Sequence, residues 1–241
     1  MAAKQTEKEE DWGYDLYPER RGKSLPLIPS VSELLFGGGQ HTSDKLKCEQ
    51  RVVDVVTKQP LVRLFLDALR SSGCPIDIKR HIVCENCDVS VTGGYDPKMN
   101  QIVVCQNTCR SDSYVTGAIV HELVHMFDYC VNKLDFKNLD HLACTEIRAA
   151  NLAHCSYVSA MLEGSIAAPA VKAQHAFCVQ QKAYESVRNA RRSVSHEEAL
   201  AAVERVFSRC YNDLEPVGRR LRRGTKDVQL ACEEGFLLGY T

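Results

Sequence analysis

Apolar side chains recur with helical spacing along residues 114–131, where Val115, Ile119, Val120, Leu123, Val124 and Phe127 form one side. That pattern predicts a helix, and similar patterns predict helices over 141–162 and near 171–191. A further helix is expected from Ser195, because Ser195 and Glu198 have the spacing of a capping box. Upstream, Val52, Val53, Val55 and Val56, then Leu61, Val62, Leu64, Phe65 and Leu69, indicate two short helices within 48–72. Pro60 divides them, since a proline costs little at a first helical position. Between 76 and 106 the pattern changes. "DIKRHIVC" and "QIVVC" read as strands, and "TGGYDPKMN" between them carries turn chemistry, so an antiparallel β-element is expected. The fold class that follows is α+β, mostly helical, with a small antiparallel sheet before the 114–131 helix.

The ends differ from this body. Residues 1–44 are rich in Gly, Pro, Ser and charge and predict a mobile N-terminal tail. Residues 45–216 form the expected domain, and 217–241 a basic C-terminal tail whose "GRRLRRGTK" reads as a solvated terminus, with a docking patch as the alternative. A chain of 241 residues that is 44% apolar can bury a full core. Its net charge of -1 gives no argument for nucleic acid, and no direct nucleic-acid contact is expected. No apolar stretch approaches the roughly 20 residues that span a bilayer. The acidic opening "MAAKQTEKEEDWGYD" resembles neither a signal peptide nor a transit segment.

The cysteines alter this plain picture. Twelve of them suggest disulfides in an oxidising compartment, or thiolate metal sites, with buried reduced thiols as the third reading.

The predicted helix at 114–131 also carries "VHELVHM", residues 120–126. Residues i and i+4 of a helix stand one above the other, so His121 and His125 can present imidazoles to one metal ion. Glu122 lies one residue round, displaced from ligation but placed to take a proton from a water that the metal polarises. His-Glu-x-x-His on an apolar-periodic helix therefore points to zinc-dependent hydrolysis. A third protein ligand is needed. "HLACTEIRAANL" offers Glu146, on a helix able to return antiparallel to the first, and His141 at that helix's start as the competitor. Asp128 falls on the stripe of His121 and His125 and could orient an imidazole.

Taken together, "CENC", "GGYDPKMNQIVVCQN", "HELVHMFDYC", "HLACTEIRAANL" and "CYNDLEPVGR" resemble one family over about residues 45–216. It is the mitochondrial inner-membrane metalloprotease family that matures subunit 6 of the ATP synthase, whose vertebrate members are also described as Ku-binding proteins. The resemblance implies a zincin-like metalloprotease domain in which His121 and His125 carry zinc and Glu122 is catalytic. Glu146 is similar to the glutamate ligand of related zinc peptidases. It also implies a precursor-polypeptide substrate from the ATP synthase, a part in its assembly, and peripheral contact with the inner membrane on the intermembrane-space side. Import by oxidative trapping would explain cysteines without a transit peptide. The alternative is a non-catalytic binding or assembly factor, including a nuclear partner of Ku-type DNA-repair proteins. For the cysteines, Cys178 and Cys210 are equally spaced about Val194, so a helical hairpin predicts that pair, and Cys48 with Cys74 flank Pro60 in a near-symmetric way. Cys84, Cys87, Cys105 and Cys109 are expected either in disulfides or in a zinc ribbon.

Overall fold

A computed structural model describes residues 14–20, 38–155, 168–222 and 225–240. The expectation for residues 156–162, the end of the helix predicted over 141–162, lies outside the described residues, as do 1–13 and 21–37 of the predicted tail.

The chain forms α1 (Gly38–Lys58), α2 (Pro60–Ser71), the short α3 (Ile78–His81), β1 (Ile82–Glu85), β2 (Gly93–Asp96) and β3 (Gln101–Cys105). Then follow α4 (Asp112–Asn132), α5 (Leu139–Ala149), a π turn at Ala150–His154, α6 (Ala168–Ala190), α7 (His196–Asn212) and α8 (Asp227–Leu237). The fold is mostly helical α+β. Pro60 opens α2 at its first residue, and Ser195 caps α7 through a complete capping box with Glu198. Two cores meet at α4 and α5. In the first, α1, α2 and the inner face of the sheet close on α4, with Phe65 and Phe127 packed edge to face at 6.3 Å. In the second, α5, α6 and α7 pack through Ile147, Val179, Ala183 and Val203.

The sheet is mixed, which corrects the expected antiparallel element. Its order is β1-β3-β2, with β1 parallel to β3 and β2 antiparallel to it. The third strand comes from Gly93–Asp96, a segment whose glycines read as turn. Both glycines answer to close approach. A Cβ on Gly93 would lie 2.8 Å from the Val103 carbonyl, and one on Gly94 would lie 2.2 Å from the Tyr17 hydroxyl. Turn chemistry is confined to the residues after β2, where the Asp96 carboxylate accepts from the Lys98 and Met99 amides.

Tyr17 belongs to the segment expected to be mobile, and its described part is anchored. Arg20 reaches Glu85 of β1, Asp96 of β2 and Gln101 of β3, while Asp88 N–H donates to the Leu16 carbonyl. One guanidinium thus ties all three strands together, at distances no tail composition could indicate. The described arginines of the basic run after α7 carry partners, while the Arg222 side chain stays 58% exposed. Arg219 pairs with Glu234, Arg222 with Asp227, and Arg220 stacks over the Tyr211 ring at 3.9 Å. Helix α8 then lies on α2, with Ala231 fully buried and Gly235 against Leu64.

Five disulfides join Cys48–Cys84, Cys74–Cys130, Cys87–Cys105, Cys144–Cys210 and Cys155–Cys178, and leave Cys109 and Cys232 free. Disulfides were expected, but the pairs Cys178–Cys210 and Cys48–Cys74 are corrected. The hairpin argument treats α6 and α7 as neighbours with nothing between them. Helix α5 packs against both, so Cys210 meets Cys144 on α5, and Cys178 meets Cys155 just after the π turn. In the same way α1 lies against β1 and α2 against α4, which sends Cys48 to Cys84 and Cys74 to Cys130. A zinc ribbon is excluded, because Cys84, Cys87 and Cys105 are all in disulfides.

The Cys144–Cys210 bridge closes a loop with a sequence separation of 66. On the chain-entropy account such a loop is worth about 4 kcal/mol. A Cys144→Ala/Cys210→Ala protein is expected to lose about 2–5 kcal/mol in denaturant unfolding, and alkylation of unreduced wild type unfolded in denaturant should label Cys109 and Cys232 alone. A loss below about 1 kcal/mol, or label on Cys144, would contradict the pairing.

Candidate metal centre

Helix α4 begins at Ser111, whose hydroxyl accepts from the Tyr114 amide, and runs unbroken through "VHELVHM". Its buried side includes Ile119, Leu123 and Phe127, which hold the helix against α2 and the sheet. His121 and His125 are thereby presented on the face that meets α5. A left-handed Lys133 ends α4, and Asn138 caps α5 by accepting from the Asp140 and His141 amides. The reversal sets α5 across α4 and brings Glu146 to the two histidines.

The Nε2 atoms of His121 and His125 are 3.1 Å apart. Glu146 places one carboxylate oxygen 3.4 Å from His121 Nε2 and the other 3.6 Å from His125 Nε2. The donor atoms of the three residues all lie within 4.8 Å of one another, close enough to share one metal ion. His141 is not brought to this point. It sits in the first turn of α5, where its Nδ1 accepts from the Asp135 amide. Glu122 stands beside the group without joining it. It is buried, accepts from the Tyr95 backbone, and lies against the bare face of Gly93.

The electrostatics of the group favour a cation. Burial works to lower the pKa of His121, but the carboxylates of Glu122 and Glu146 outweigh it and raise it to about 9. Burial instead lowers His125 to about 4, leaving it a neutral imidazole, the form that ligates metals. Burial raises Glu122 to about 7. Glu146 is drawn below the usual carboxylate range, because His125 and His121 overcome its burial. Glu146 Oε2 is buried with no hydrogen-bond partner. Two imidazole nitrogens and a buried carboxylate, converging out of bulk water, are a donor set able to hold a metal ion.

Asp128 does not touch an imidazole directly. Its Oδ2 accepts from the Thr145 hydroxyl at 2.7 Å, and that hydroxyl lies 2.9 Å from His125 Nδ1. His154 comes 2.9 Å from His121 Nδ1. Neither Thr145 nor His154 was singled out from the sequence. Thr145 carries no signal beyond its place before Glu146. His154 is the last residue of the π turn, which changes the helical register that a 3.6-residue period assumes.

The centre opens into a cleft of about 550 Å³. Tyr95, Tyr129 and Phe136 form an aromatic cluster on one wall, with ring centroids 6.0–6.1 Å apart. On another wall lies the outer edge of β2, which pairs with no further strand among the described residues. The Cys105 amide donates to the Thr92 carbonyl, so the next carbonyl along, that of Gly93, faces away from β3. It accepts from the Tyr17 hydroxyl at 2.6 Å. Burial, with the Glu122 carboxylate nearby, keeps the Tyr17 phenol protonated far above its usual range.

The sequence profile of a family described as the Peptidase M76 family matches residues 46–218. Among curated proteins, the chain is 40% identical over 227 residues to a protein of Danio rerio named mitochondrial inner membrane protease ATP23 homolog, covering 93% of this chain and 84% of that one. A Homo sapiens protein of the same name is 38% identical over 85% of this chain and 79% of its own length. The Schizosaccharomyces pombe mitochondrial inner membrane protease atp23 is 34% identical over 73% of this chain and 93% of its own. No solved structure matches.

Proposed function

The chain belongs to the peptidase M76 family, and on that premise we propose that it is a zinc-dependent endopeptidase of zincin-like type. The observation that carries this reading is the convergence of His121, His125 and the unpartnered Glu146 oxygen beside a buried Glu122. His121, His125 and Glu146 would hold the metal, in a set of three protein ligands with a position left open. Zinc bound there would supply a Lewis acid that polarises the scissile carbonyl and an attacking water.

The protein's own groups do the rest. Glu122 takes a proton from the water as its oxygen bonds to the carbonyl carbon, then returns that proton to the leaving amine as the C–N bond breaks. Its raised pKa suits a group that must both accept and donate near neutral pH. The outer edge of β2 is where an extended peptide can add as a further strand, in exchange for the Tyr17 hydroxyl that occupies the Gly93 carbonyl. The aromatic cluster excludes water from the side of the cleft next to His125.

We further assign the substrate as the precursor of a mitochondrial ATP synthase subunit, with a supporting role in that enzyme's assembly. This rests on the family resemblance, and the relatives' names add that they are mitochondrial inner membrane proteases. The place of action would be the intermembrane-space face of the inner membrane, with peripheral attachment. Five disulfides support an oxidising compartment. No helix among the described residues is long and apolar enough to cross a membrane.

Cells lacking the protein should accumulate the unprocessed subunit precursor, and the wild-type chain should restore maturation. Purified protein carrying one zinc per chain should shorten the labelled precursor at its N-terminus, and chelation should stop it. Normal maturation in cells without the protein would remove the substrate assignment. Purified protein that neither holds zinc nor cleaves any peptide would remove the peptidase reading.

A further inference from the structure

We propose that Thr145 is a positioning residue that sets which nitrogen of His125 carries hydrogen and so aims the other at the metal. The inference rests on the zinc-peptidase reading above and adds a residue to it.

Thr145 is fully buried on α5, directly before Glu146, and faces α4. A hydroxyl has one hydrogen to give and lone pairs to receive. Two groups compete for that hydrogen, Asp128 Oδ2 at 2.7 Å and His125 Nδ1 at 2.9 Å. The carboxylate prevails, because an ionised oxygen accepts only, and its bond to a hydroxyl is the stronger kind. Burial pushes the Asp128 carboxyl up to about 6, and the Arg148 guanidinium, 3.2 Å from Oδ1 and itself 2% exposed, works against that rise and favours the charged form. With its hydrogen committed to Asp128, the Thr145 oxygen can only accept from His125. Nδ1 must then carry the imidazole hydrogen. Nε2 is left with a bare lone pair, and Nε2 is the atom directed at His121 Nε2 and Glu146.

The relay is anchored well away from the centre. Arg148 also reaches Asp213, at 2.5 Å, and the Glu215 carbonyl. The chain of contacts thus runs from the segment after α7 through Arg148, Asp128 and Thr145 to His125. Every member except Asp213 and Glu215 is buried, so water cannot substitute for a lost partner without entering the core. Asp128 alone is too far from the imidazole to do this, and Thr145 supplies the missing atom.

Three variants test the inference, each read by zinc affinity in chelator competition and by the visible absorption of the cobalt-substituted protein. Thr145→Val keeps the shape and removes the hydroxyl. It should lower zinc affinity by about 10–100-fold, the scale for losing a partner that orients a ligand, and alter the cobalt bands. Thr145→Ser keeps the hydroxyl and should stay within about three-fold of wild type. Asp128→Asn can present an amide hydrogen to the Thr145 oxygen, which turns the hydroxyl hydrogen toward His125 and favours the wrong tautomer. It should lose affinity like the valine variant while a buried hydrogen bond remains.

Valine and asparagine variants that bind zinc as tightly as wild type, with unchanged cobalt bands, overturn the relay and leave the peptidase reading standing. A serine variant as weak as valine overturns it too, since the hydroxyl would then not be the operative group. Should the valine variant not fold, the asparagine and serine variants decide between these outcomes. Wild-type protein that takes up neither zinc nor cobalt overturns both readings.

Discussion

Replacing Glu122 with Gln is expected to reduce peptide cleavage by about 10²–10⁴-fold, the scale of losing a general base, while fold and bound zinc persist. The amide has the carboxylate's size, and its oxygen can still accept the Tyr95 backbone hydrogen bond. Burial already disfavours the charge on Glu122, as its rise to about 7 reflects, so neutralising it removes a cost to the folded state. What disappears is the group that takes the proton from the attacking water. The zinc content of the purified variant and its rate of precursor cleavage, measured together, check both halves. In cells, the precursor should accumulate. If the protein also assists assembly by binding, assembly should continue in this variant, because no part of the binding surface has changed. Full maturation with Glu122→Gln would defeat the catalytic assignment.

Glu146→Ala is expected to release zinc altogether, whereas His141→Ala is expected to leave it bound. Removing Glu146 leaves two imidazoles, and two protein ligands rarely hold zinc tightly. It also strips the negative charge that, with Glu122, outweighs the burial of His121. The loss should exceed the roughly 10–100-fold that accompanies changes in the residues around a ligand. His125→Ala should behave like Glu146→Ala for the same reason. His141 occupies the first turn of α5, and its Nδ1 accepts from Asp135, so its removal loosens a loop and does not open the centre. Equilibrium dialysis against zinc followed by metal analysis separates the two variants. A zinc-binding Glu146→Ala protein alongside a zinc-free His141→Ala protein would reverse the choice of third ligand.

Most helices were legible because each rests on local rules, whereas α3 falls in a segment that reads as strand and α8 in one that reads as a basic tail. Apolar spacing located α4, Pro60 divided α1 from α2, and the Ser195–Glu198 pair marked the start of α7. The pairing of His121 with His125 needed nothing more than the pitch of a helix. The third strand was hidden because Gly93 and Gly94 have poor strand propensity. Their presence there answers to the Val103 carbonyl, 10 positions from Gly93, and to the Tyr17 side chain, 77 positions from Gly94. The disulfides show the same divide. Twelve cysteines announced bridges, but symmetry within a presumed hairpin mispaired Cys178 and Cys210, because it could not include the helix that packs against both partners.

By itself, then, the sequence determined most of the periodic elements, the presence of bridges and the juxtaposition of His121 and His125, all set by interactions within a few residues. Only the tertiary structure decided how those pieces face one another. It brought Glu146 rather than His141 to the imidazoles, inserted Thr145 between Asp128 and His125, laid Tyr17 and Arg20 on the sheet, and chose the partner of every cysteine. Those choices depend on which helix packs against which. That is settled by burying apolar faces across the whole chain, and no local spacing encodes it.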